Sequence, residues 1–424
     1  MVQIKQLSNG LTVVLEQMDH LRSVSFGAWV KVGSVNENEK NNGISHVVEH
    51  MMFKGTTNRS AKELADDCAM IGGNLNAYTS KECTSYYVTT LDTHLERAIE
   101  IISDMLCNSL MLTDELEKEK GVIIEEIDMY DDSPEDLVHE LLQKEVWKDH
   151  PLGYIISGTK EIVESITRED LLSFIETYYV ADNMVLSIAG NFNIEKTMEV
   201  LEQYFGKIPA TSNREVVTDP SFTTTFVHRE KDIEQIHINL AFEAVDYMSD
   251  EKYPLSLVNS VLGGSESSLL FQKIREELGL AYSIYSYSST FEQAGLFQID
   301  VTVNPDNVET VLKTIIDVIN GFVKTGINEV ELLRSKEQIN TELIIGSESS
   351  KNRMTSNGKA MLCRKRIVSL TDTIDKLNGV TVEEANTFIK KYLTTSRFSL
   401  CMIGNLQEID LEHFQQFWRN LNNL

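Results

Sequence analysis

Proline is scarce in this chain, 6 in 424 residues, and no low-complexity tract is present. Long disordered or collagen-like segments are therefore not expected. Cysteine is also sparse. Cys68, Cys83, Cys107, Cys363 and Cys401 are widely spaced, odd in number and form no C-x-x-C pair. That pattern argues against a disulfide frame and against a cysteine-type zinc site, and predicts reduced thiols in a cytoplasmic protein. Positive charge is short as well: 38 Lys and Arg face 65 Asp and Glu, for a net charge of −27. Without a basic stripe, nucleic acid is not an expected partner. Basic peptides suit such a surface better, although the charge equally serves solubility. No apolar run approaches the length of a bilayer span. The opening segment, MVQIKQLSNGLTVVLEQ, lacks the charged-then-apolar order of a secretion signal. It reads as a β-hairpin turning at Asn9-Gly10.

The hydrophobic content of 42% over this length is enough for more than one core. The chain also repeats itself. The segment from Tyr86 to Ile127 and that from Phe297 to Thr341 both run strand, turn, amphipathic helix, loop, second helix. Leu95, Ala98, Ile99, Ile102 and Met105 fall in helical phase with Val308, Val311, Leu312, Ile315 and Val318. A repeat about half the chain long implies a duplicated domain. The join is expected at 211–222, with one domain over 1–210 and the other over 223–424. Alternating strands such as SVSFGAWVKVG and QIHINLAFEA surround helices of helical period. Each half thus reads as α+β: two duplicated α/β rolls, each a mostly antiparallel sheet with helices packed on one face.

His46-Val47-Val48-Glu49-His50 is the segment richest in chemistry. On a helix, His46 and His50 stand at i and i+4 and face the same way. Two neutral imidazoles one turn apart can hold one zinc ion. Glu49 borders that face and can accept a proton from water at the metal. A buried helix with two satisfied histidines fits the same five residues. The repeat separates fold from chemistry: the matching place in the second half holds Asn259-Ser260-Val261-Leu262-Gly263, without histidine.

A catalytic zinc needs a third protein ligand. The helix predicted over about Thr113 to Tyr130, with Thr113 as N-cap, offers one. Its apolar seam is Leu116, Ile123, Ile127 and Tyr130, and Glu119 and Glu126 fall on that seam. Carboxylates on an apolar seam are costly unless they bind something. Glu126 is the candidate ligand, and Glu119 a carboxylate able to orient a ligand histidine. Glu125 points to the side. A solvated acidic helix remains the competing reading.

Four stretches together resemble the pitrilysin–insulinase metallopeptidases, in the branch of the mitochondrial processing peptidase and its short bacterial relatives. They are GISHVVEHMMFKGTTNRS, GGNLNAYTSKECTSYY, EKEKGVIIEEIDMYDDSPEDLVHELL and SSLLFQKIREELGLAYSIYS. The third places Glu126 after 75 residues from His50, the spacing of this branch.

The resemblance implies one zinc per chain on His46, His50 and Glu126. It implies that Glu49 activates a zinc-bound water in a zinc-dependent endopeptidase. It implies that Asn76 and Ala77 hold the peptide as an added strand. It also implies that Arg275 and Tyr282 grip the substrate and stabilise the oxyanion. The short length implies a homodimer closed like a clamshell around a chamber, with Arg275 and Tyr282 serving the partner's zinc. Leu269 stands where many relatives carry arginine. The alternative is a non-catalytic, peptide-binding or structural subunit of a processing-peptidase-like complex. Such paralogues lose the zinc residues, and this chain keeps them.

Overall fold

A computed structural model describes residues 2–394, 397–407 and 409–422. These residues form two compact units.

The first unit is built on a six-stranded sheet in the order β1-β2-β6-β3-β5-β4. The strands are β1 (Val2–Gln6), β2 (Thr12–Gln17), β3 (Ser23–Val30), β4 (Asn74–Thr79), β5 (Thr84–Leu91) and β6 (Met184–Gly190). β1 and β2 are the hairpin around Asn9-Gly10, where Gly10 takes a positive φ of 88°. All neighbours are antiparallel except β2 and β6. β4 pairs only with β5 and forms one edge.

The second unit has five strands in the order β7-β11-β8-β10-β9. They are β7 (Phe226–Glu230), β8 (Ile236–Ala244), β9 (Ala281–Thr290), β10 (Gly295–Val303) and β11 (Ser399–Gly404). Its one parallel pair is β7 with β11. Strand for strand, this order repeats β2-β6-β3-β5-β4, with the parallel pair in the same place. The duplication read from helical phase is therefore present in the sheet topology.

The helices α1 (Ile44–Met51), α2 (Ala61–Met70), α3 (Leu95–Asn108), α4 (Thr113–Asp132) and α5 (Pro134–Val146) follow in order. α1 and α3 bury their apolar sides against Val13, Leu15, Phe26, Ala28 and Ile188, on one face of the first sheet. The matched helix Val308–Thr325 does the same in the second unit through Val311, Leu312 and Ile315. Thr113 opens α4 rather than capping it, because the carbonyl of Leu112 accepts the first-turn bond from the amide of Leu116.

The units are not the contiguous halves expected from 1–210 and 223–424. Residues 344–368 belong to the first unit and residues 129–153 to the second. The reason lies in burial. β6, β10 and β11 are buried along their whole length, and β3 along all but its first residue. Such strands need cover on both faces. Helices of the same half cover one face. The helix Ser350–Arg364 covers the other face of the first sheet, packing Met354, Met361 and Leu362 on Val14, Trp29 and Val185. Arg353 grips Glu16 at 2.7 and 2.9 Å, and Asn357 adds a bond at 2.6 Å. A Cβ on Gly358 would meet the Trp29 ring at 2.6 Å, so only glycine allows this approach. In the second unit α5 lies on β8 and β11, and its His139 meets Tyr287 of β9 at 2.6 Å and Asp300 of β10 at 3.3 Å. No helix among the described residues is long and apolar enough to cross a membrane.

Candidate metal centre

α1 starts at Gly43, whose φ of 100° suits glycine and which has no side chain to cap the helix. Glu37 supplies the missing acceptor. Its buried carboxylate takes bonds from the amides of Gly43 at 2.7 Å and Ser45 at 2.9 Å, and from the Asn42 amide group at 2.8 Å. Burial pushes this carboxyl above its ordinary pKa, against the pull of those bonds. A carboxylate facing the positive end of a helix is well placed electrostatically. Glu37 thus anchors the helix that carries His46, Glu49 and His50. Sequence reasoning passed over it. The usable signal was a glycine N-cap with an acid six residues upstream.

His46 and His50 sit one turn apart with ring centroids 4.6 Å from each other. Across from them, α4 presents Glu126, while its neighbour Glu125 is exposed. Glu126 Oε2 lies 3.5 Å from His50 Nε2 and 3.8 Å from His46 Nε2. One ligand atom from each of the three residues lies within 4.8 Å of the others. Tetrahedral coordination at bonds near 2.1 Å sets ligand atoms about 3.4 Å apart. The donor set, two imidazole nitrogens and one carboxylate oxygen, therefore fits a zinc ion. No other such cluster occurs among the described residues.

The electrostatics agree. Burial and the neighbouring His50 pull the His46 pKa down to about 4, so this ring is neutral and able to ligate. At His50 burial also disfavours the proton, but the carboxylates of Glu126 and Glu119 outweigh it and raise the pKa. An incoming cation would compete with that proton. Glu119 is buried, 5% exposed, with Oε2 at 3.2 Å from His50 Nδ1 and Oε1 at 2.6 Å from Lys54 Nζ.

Glu49 lies outside the three-ligand cluster. Its carboxylate accepts from the hydroxyl of Thr79, the last residue of β4. Burial raises its pKa, with the Thr79 bond acting against that. Asn76 and Ala77 lie on the same edge strand, opposite Tyr87 and Tyr86. Arg275 and Tyr282 belong to the second unit and meet each other there. Arg275 occupies a π-helical turn, Phe271–Glu277, and its guanidinium stacks 4.8 Å from the Tyr282 ring and 4.7 Å from that of Phe271. Tyr282 is 79% exposed at the start of β9, an edge of its sheet. Thr79 and Lys54 were also missed: Thr79 reaches the site at the end of a returning strand, and Lys54 by the tight turn that follows α1.

The chain is similar to known proteins over most of its length. The family model described as Insulinase (Peptidase family M16) matches residues 12–160, and that described as Peptidase M16 inactive domain matches residues 165–339. The uncharacterized zinc protease YmxG of Bacillus subtilis is 39% identical over 404 residues, covering 95% of this chain and 98% of that one. An uncharacterized zinc protease of Rickettsia felis is 38% identical over 358 residues, 84% of this chain and 86% of its own. Among solved structures, a protease from Helicobacter pylori superposes with a TM-score of 0.89 at 22% identity, covering 95% of this chain and 99% of that one. A peptidase M16 inactive domain from Pseudomonas fluorescens has the same TM-score at 20% identity, over 95% and 98%. These two structures share the fold.

Proposed function

The chain belongs to the insulinase-type M16 peptidase family, and from that premise we propose that it is a zinc-dependent endopeptidase acting on peptides or unfolded segments. The observation that carries the reading is the convergence of His46, His50 and Glu126, with Glu49 beside them but outside the ligand set. His46, His50 and Glu126 would hold the zinc, which when bound would supply Lewis acidity toward water and a carbonyl. Everything else falls to the chain's own groups. The substrate adds as a strand along β4 at Asn76 and Ala77, so that main-chain bonds accept many sequences. Glu49 takes the proton of the attacking water and returns it to the leaving amine. Thr79, at the end of the same strand, holds the Glu49 carboxylate in place. The inactive-subunit reading is disfavoured because every residue of the metal set is present.

The net charge of −27 favours basic peptides. Dialysis against a chelator is expected to abolish cleavage of a quenched, unstructured basic peptide, and added zinc to restore it. Cleavage by the metal-free protein would remove zinc from the mechanism.

We also propose a homodimer that closes a chamber, in which the partner's Arg275 and Tyr282 complete each site. The stacked, solvent-facing Arg275–Tyr282 pair supports this, since Tyr282 contributes little to its own core. Arg275→Ala and Glu49→Gln chains should each be nearly inactive. Mixed in equal amounts, they should recover about a quarter of wild-type activity, because half the dimers are mixed and each of those has one intact site of two. No recovery, with mixed dimers shown to form, would mean that each chain is self-contained.

A further inference from the structure

We propose that Lys54 is a positioning residue that fixes the spacing of the metal ligands by acting through Glu119. α1 ends at Met51, and the chain then turns tightly, with the amide of Phe53 bonded to the carbonyl of His50 and that of Lys54 to Met51. This turn brings Lys54 Nζ to 2.6 Å from Glu119 Oε1. The other oxygen of the same carboxylate lies 3.2 Å from His50 Nδ1. Two groups four positions apart on one segment therefore grip both oxygens of one buried carboxylate on α4.

The grip has consequences for Glu126. Glu119 and Glu126 lie seven residues apart on one seam of α4, about two turns. A carboxylate held at both oxygens fixes the rotation and height of α4 against α1, and with them the reach of Glu126 toward His46 and His50. Glu119 also sets the direction of His50. A ring whose Nδ1–H donates to a fixed carboxylate offers Nε2 as the ligand atom, and here Nε2 faces Glu126 at 3.5 Å. Lys54 is the ammonium that balances Glu119, and a carboxylate buried to 5% exposure is costly without such a partner. Removing the ammonium leaves the carboxylate with the imidazole alone and free to turn away from it.

The inference rests on the zinc reading above, and its test separates the two. Zinc dissociation constants, measured by chelator competition, are compared for wild type, Lys54→Met, Lys54→Arg, Glu119→Gln and the Lys54→Met/Glu119→Gln double variant. Lys54→Met is expected to weaken zinc about 10- to 100-fold, the range seen when an outer partner of a ligand is lost. Lys54→Arg should retain wild-type affinity within a few-fold. The double variant should bind no worse than Glu119→Gln alone, since Lys54 acts through that carboxylate. If Lys54→Met fails to fold, Lys54→Gln takes its place. Wild-type affinity in the charge-removed variant, or losses that add in the double variant, would overturn the inference and leave the zinc reading standing. A folded wild type that takes up no zinc would overturn both.

Discussion

Glu49→Gln is expected to keep its zinc and lose peptide hydrolysis by two to four orders of magnitude, on the order expected for loss of a general base. The substitution is nearly isosteric. An amide oxygen can still accept from the Thr79 hydroxyl, so the side chain should stay where it is. What disappears is the capacity to take a proton from water. Metal content should not change, because His46, His50 and Glu126 form the ligand cluster without Glu49. Stability gives an independent readout. Burial is the main cause of the raised Glu49 pKa. The unfolded carboxyl ionises at its ordinary value and the folded one later, so the charge opposes folding once pH rises above the unfolded pKa. At neutral pH the metal-free Glu49→Gln chain should therefore melt at the same temperature as wild type or higher. A variant that keeps a tenth or more of the wild-type rate would remove Glu49 as the base. A variant that loses its zinc would make it a ligand.

Glu126→Gln should separate ligand from scaffold. It leaves two imidazoles to hold the ion, and zinc affinity should fall by more than the roughly hundredfold that losing an outer partner costs. Cleavage should fall with it. The control lies next door: Glu125 is exposed on the same helix, and Glu125→Gln should leave zinc binding and activity unchanged. Equal zinc affinity in the two variants would strike Glu126 from the ligand set. Helical folding should survive, because Glu126 is only partly buried while Leu116 and Ile123 carry the burial of α4.

The helix with both histidines was legible from five residues, because i and i+4 spacing alone decides that two side chains share a face. The opposing carboxylates were legible from phase: Glu119 and Glu126 fall on the seam of Leu116 and Ile123, and the structure turns that seam toward α1. The duplicated sheet was legible from matched helical positions. What stayed hidden depends on contacts that periodicity does not encode. Periodicity tells which side of a strand is apolar and is silent on which helix will cover it, so the exchange of residues 129–153 and 344–368 left no local mark. Glu37, Thr79 and Lys54 are ordinary polar residues in sequence. Each becomes part of the site because a loop, a strand end or a helix end passes close to α1 or α4.

The exchange of helices also bears on where the chain can be divided. A chain cut between its two repeats would not separate along the two compact units. Here a product ending at residue 210 would lack the helix Ser350–Arg364 and leave Val14, Trp29 and Val185 facing water on a broad apolar sheet. Its partner would lack α5, which lies over β8 and β11. Each repeat holds a helix that the other's sheet needs for cover, so neither closes its own sheet alone.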